Sequence, residues 1–173
     1  MPEALLALAK QHNIILKFWD FEPPIEAVYF SYPGKNPVIG LDPKIVQDKK
    51  HFRCVLAEEL GHFFTAPRES IILRYHDPNR IRTCRAEYQA LVWAVNYLIP
   101  DEELELALNH MPPRELKDFF QVDAEFLAFK LKLVKDRLLA NLKKTELPKI
   151  ILPSFAPDNP LFGDEGPYQP GGG

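Results

Sequence analysis

Glu58, Glu59 and His62 stand among the apolar residues between Val55 and Phe64 of a helical stretch, and that placement narrows what the chain can fold into. Asp42-Pro43 reads as a helix start, with Asp as N-cap and Pro at the first helical position. From there Ile45, Val46, Phe52, Val55, Leu56, Leu60 and Phe63 recur at helical spacing. Thr65-Ala66-Pro67 then stops the helix, because proline cannot continue it. Within this stretch lies Leu56-Ala57-Glu58-Glu59-Leu60-Gly61-His62. Four residues make little more than one turn, so Glu58 and His62 project from one face about 6 Å apart. Two side chains at that spacing can grip one metal ion. Glu59, rotated by roughly 100° from Glu58, can then face a water on the ion and act as general base. The bland alternative makes Glu58 a solvated helix residue and the helix metal-free.

The pattern is E-E-x-x-H, one residue away from the metal-binding H-E-x-x-H, which acquires meaning only on a helix and with a third ligand. A second apolar helix, Arg82 to Leu98, offers one. Ala86, Ala90, Leu91, Ala94, Val95 and Leu98 form its expected buried side, its small alanines permit close approach of another helix, and Pro100 ends it. Glu87 lies on this segment. Two carboxylates and one imidazole leave a fourth position open, as in catalytic rather than structural sites.

Val55 to His62 and Glu87 to Pro100 together resemble the ImmA/IrrE metallopeptidases, found with prophages, integrative elements and stress regulators. Glu115 to Asp123 is similar to the short helix-turn that follows in that family, and the likeness spans roughly Ile14 to Leu133. The resemblance implies an α+β, zincin-like metallopeptidase domain with a small N-terminal sheet packed on helices. It also implies His62 and Glu87 as metal ligands and Glu59 as catalytic base. The substrate it implies is a helix-turn-helix repressor, whose cleavage derepresses mobile-element or stress genes. Glu58 departs from the family, which usually carries histidine there. Two carboxylates bring more negative charge to the ion, which makes it a weaker Lewis acid. They also move preference from zinc towards manganese or iron, with zinc still the first expectation. The alternative is a catalytically inactive peptidase-fold protein that binds a repressor or an antitoxin-like partner.

Between the two ligand helices, Tyr75 and His76 are candidates for substrate contact or for stabilising an oxyanion. A surface position is the ordinary reading of both. His51, two turns before Glu58, is roughly 10 Å away along the axis and too far for the same ion. Cys54 and Cys84 read as reduced, buried thiols of a cytoplasmic protein.

The 173 residues suffice for one domain with a proper core, expected over 1–146. A net charge of −3 argues against a general nucleic-acid or membrane-surface binder, and no apolar run is long enough to span a membrane. Pro2 to Gln11 reads as a helix, and Ile14 to Trp19, Ala27 to Phe30 and Val38 to Leu41 as three strands. A helical part is expected over 101–146. Asp101 is its first cap, Arg114 to Phe120 a short helix, and Asp123 the cap of a long one striped by Leu127, Leu131, Val134, Leu138 and Leu142. The order short helix, turn, long helix is helix-turn-helix-like. The basic residues of the last helix, Lys130 among them, read as a solvated face rather than a DNA-binding one. Residues 147–173 form a Pro/Gly-rich tail expected to be extended, with Ile150-Ile151-Leu152, Phe155, Leu161-Phe162 and Tyr168 as apolar anchors.

Overall fold

The computed structural model describes residues 2–65, 70–75 and 85–144. Cys84, His76 and the proline-rich tail lie outside the described residues. The fold is a mixed α+β arrangement in which one sheet and a set of helices enclose a shared core. Helix α1 (Glu3–Gln11) buries Leu5 and Ala9. Asn13 then turns the chain in the left-handed region (φ 55°), and Ile14 N–H closes on Ala9 O at 2.9 Å. Strands β1 (Ile15–Phe18), β2 (Ile25–Ser31) and β3 (Val38–Leu41) follow, close to the boundaries expected from sequence.

The sheet has four strands in the order β1-β3-β2-β4, where the sequence suggested three. The additional strand, β4 (Ser70–Tyr75), lies in the connection between the helix that carries Glu58 and His62 and the one that carries Glu87. It pairs antiparallel with β2, Tyr29 opposite Ile72. Ser70-Ile71-Ile72-Leu73-Arg74-Tyr75 carries the β-branched signal that the reading of this stretch as a connection passed over. β1 runs parallel to β3, and β2 antiparallel to it. Among the described residues, β1 and β4 are the sheet's edges.

The continuous helix expected from Asp42 is broken. Asp42 Oδ1 does accept from Lys44 N–H at 2.8 Å, but it caps a short 3-10 turn over Pro43–Gln47. Helix α2 (Lys49–Thr65) starts afresh, with Asp48 Oδ1 accepting from Lys50 and His51 N–H at 2.9 and 3.2 Å. A second aspartate six residues on supplied the same capping chemistry. Helix α3 (Arg85–Leu98) buries Ala90, Leu91, Ala94, Val95 and Leu98 against α2.

Helices α4 (Asp101–His110), α5 (Pro113–Phe119) and α6 (Ala124–Lys144) complete the chain described. Asp101 is not the cap of α4, since Pro100 holds that position. Its carboxylate serves α6 instead, at 2.6 Å from both Lys130 Nζ and Arg137 Nη1. Lys130 is therefore no part of a solvated basic face: it is fully buried, and also donates to Asn96 Oδ1 at 2.7 Å. The apolar stripe of α6 packs only in its first half. Leu127 is buried, whereas Leu138 and Leu142 are 58 and 70 % exposed.

His51 ties the fold together at the start of α2. Its Nδ1 lies 2.9 Å from Asp123 Oδ2, at the entry to α6, and its Nε2 lies 3.1 Å from Glu26 Oε1 on β2. Those two carboxylates outweigh the desolvation of the ring and raise its pKa to about 9. The protonated ring donates from both nitrogens. Since the folded value lies above the ordinary 6.5, this stabilisation is full below pH 6.5 and is lost as the pH rises through 9. The side chain is 22 % exposed, so solvent screening reduces the effect to about 1–2 kcal/mol. Denaturant titrations at pH 6 and pH 9.5 should show the wild type losing that much more stability than His51→Gln over the same interval.

Candidate metal centre

Close contact between α2 and α3 brings the site together. A Cβ on Gly61 would stand 2.4 Å from the carbonyl oxygen of Ala90, nearer than any real side chain comes. Only glycine lets the two backbones meet here. That approach aligns His62, the next residue on α2, with Glu87, one turn before Ala90 on α3. Thr65 Oγ1 donates to Gly61 O at 2.8 Å and closes the last turn of α2.

Glu58, His62 and Glu87 converge, each offering one ligand atom within 4.8 Å of the others. His62 Nε2 and Glu87 Oε2 are 3.6 Å apart. The three are all buried, from 0 % exposed for His62 to 9 % for Glu87. Polar groups gathered out of water are paired with one another or coordinate metals, and Glu58, His62 and Glu87 are close enough together for either. Zinc–nitrogen and zinc–oxygen bonds of about 2.0–2.2 Å place tetrahedral ligands about 3.4 Å apart. The 3.6 Å between His62 and Glu87 lies close to that value. Both ring nitrogens of His62 also lack a hydrogen-bond partner among the described residues, as suits a ring that gives a lone pair to a cation. The residues present therefore fit a divalent metal ion.

Glu59 is fully buried but is not one of the three converging groups. Its place next to Glu58 turns it by roughly 100° around the helix, so it is a neighbour of the ligand set rather than a member. Tyr29 was not among the sequence candidates. This residue of β2 is 2 % exposed, and its ring stacks on His62 with centroids 6.2 Å apart and planes inclined by 24°. Burial pushes its hydroxyl above the ordinary tyrosine range, partly offset by a hydrogen bond with Ser31. The alternation of β2 signals an inward Tyr29, but which residue it meets depends on the packing of sheet against helix. Tyr75 is the last residue of β4, and His76 falls outside the described residues.

Residues 9–132 match the Peptidase M78 family, described as the IrrE N-terminal-like domain. The match covers well over half of the chain, which belongs to this family of metallopeptidase type. No curated protein matches it. Family membership implies a metal ion, and Glu58, His62 and Glu87 form a group able to hold one. Among the described residues no helix is long and apolar enough to cross a membrane.

Gly61→Ala should force α2 and α3 apart. Because the obstacle is backbone, the expected loss is about 3 kcal/mol, at the upper end of overpacking substitutions. Urea unfolding measures it, and metal retention should fall in the same variant.

Proposed function

We propose that this chain is a metal-dependent endopeptidase with a zincin-like arrangement, acting on a helix-turn-helix repressor so that its target genes are released. The observation that carries the reading is the buried convergence of Glu58, His62 and Glu87 in a chain of the M78 family. Those three residues would hold the ion; zinc is the first expectation, with manganese or iron favoured by the second carboxylate. Bound there, the ion would supply Lewis acidity towards water and the scissile carbonyl.

The chain's own residues supply the rest. Glu59 accepts a proton from the attacking water and later passes it to the leaving amine. Its burial keeps bulk water from competing for that proton. Tyr29 holds the His62 ring in plane. Strand β4, an edge among the described residues, offers unpaired backbone groups to an extended substrate, which matches recognition through the peptide main chain. A repressor segment bound this way would lie as a further strand beside β4.

The same Glu58 also favours a second reading, a peptidase-fold protein that binds a repressor or antitoxin-like partner without cutting it. A double carboxylate set weakens the ion's pull on water, and binding without hydrolysis is the limit of that trend.

Elemental analysis of protein purified without chelator should find one divalent ion per chain, lost in Glu58→Ala, His62→Ala and Glu87→Ala. Glu59→Gln should keep the ion and still bind the repressor, with cleavage slowed by about 10²–10⁴-fold. Absence of metal after reconstitution would overturn the peptidase reading. Metal with binding but no cleavage in the wild type would establish the second one.

A further inference from the structure

The face of α3 turned away from the metal centre carries an aromatic groove that the catalytic reading leaves unused. Asn96 follows Glu87 by nine residues, half a turn around the helix, so the groove opens on the side opposite the ligand. Trp93 forms its floor, stacked between Phe64 and Tyr97 with ring centroids 4.7 and 5.1 Å away. Tyr88 and Tyr97 rise beside it, 43 and 39 % exposed. The groove encloses about 640 Å³. Beside it is a second hollow of about 510 Å³, which shares Tyr88, Val92 and Asn96 with the groove and is lined by Leu133 and Arg137 of α6.

Aromatic-lined grooves with a polar edge are the docking surfaces of proline-rich segments, whose extended backbone is already ordered before it binds. This chain contains one. Pro148, Pro153, Pro157 and Pro160 punctuate the apolar residues Ile150-Ile151-Leu152, Phe155 and Leu161-Phe162. We propose that the aromatic groove on α3 is the docking site for this proline-rich segment of the same chain.

The length of chain after α6 allows it. From Leu133, in the groove wall, to Lys144, the end of α6, is eleven residues, or about 16 Å at 1.5 Å per residue. An extended chain turning back along α6 covers that distance in about five residues at 3.1 Å each, which brings Ile150 level with Leu133. Tyr88 to Tyr97 spans about 14 Å of helix, and four or five further extended residues cross it, through Pro153 to Phe155. Attachment to α6 also keeps the segment at a millimolar effective concentration, so docking within one chain wins over docking on another unless the geometry forbids it.

The test uses the full chain with Phe155 replaced by photoreactive benzoylphenylalanine, as an equal mixture of ordinary and ¹⁵N-labelled protein. Irradiation followed by peptide mass mapping should give cross-links within single chains to residues 88–97 and 133–137. Tyr88→Ser together with Tyr97→Ser, both at exposed positions, should lower their yield at least fivefold. As a second readout, Trp93 in a Trp19→Phe chain should become at least twofold more quenchable by acrylamide when Phe155→Ser and Ile151→Ser are introduced. Mixed-isotope cross-links would show that the groove takes a second copy instead. Those, or cross-links to other faces, or none, with Trp93 quenching unchanged, would overturn the proposal.

Discussion

Two helix backbones in contact at Gly61 and Ala90 set the geometry on which the rest of the site depends. Helices whose side chains interdigitate stand 8–10 Å apart. At the near end of that range, short ligands such as Glu and His can meet between them, but only if nothing intervenes. A methyl group at position 61 is already too much. The alanines of α3 serve the same end: they contribute little apolar area but let α2 settle close enough for Glu87 to face His62.

The burial of Glu58, His62 and Glu87 costs folding free energy that the apolar surroundings cannot return. Phe52, Val55, Leu56 and Leu60 on α2, with Leu91, Val95 and Leu98 on α3, make the hydrophobic body that holds the three polar groups out of water. A cation held by these three residues would couple metal binding to folding. Compared with a two-histidine set, a second carboxylate would raise the electrostatic demand for an ion and weaken that ion as a Lewis acid.

Much of this was legible in the chain because the signals are local. Spacing alone places Glu58 and His62 on one face, and the apolar periodicity of α2 and α3 identifies both ligand helices. The E-E-x-x-H run together with the Glu87 segment led to the family that the match over residues 9–132 supports. What was missed is non-local or ambiguous. Asp42 and Asp48 are equally good caps, and nothing near either says that both are used. Asp101 reads as a cap until Lys130 and Arg137, brought from α6, claim its carboxylate and hold it below the ordinary aspartate range. β4 was hidden by being read as a connection, and the stacking of Tyr29 on His62 joins residues far apart in sequence.

The clasp at His51 gives α2 a second fixed point. Beside it, Arg53 donates to the carbonyl oxygens of Phe120 and Gln121, and Cys54 Sγ accepts from Asp123 N–H at 3.3 Å, so the first turns of α2 are bolted to the α5–α6 corner. The helix is thus anchored at its start by polar contacts and near its end by Gly61. It behaves as a beam supported at both ends, and Glu58 and His62 keep their spacing as long as the beam stays straight. Glu87 rides on a different support. Its distance from Glu58 and His62 is therefore set by how α3 seats on α2 at Gly61 and Ala90, so the pair of backbones in contact acts as the gauge of the triangle.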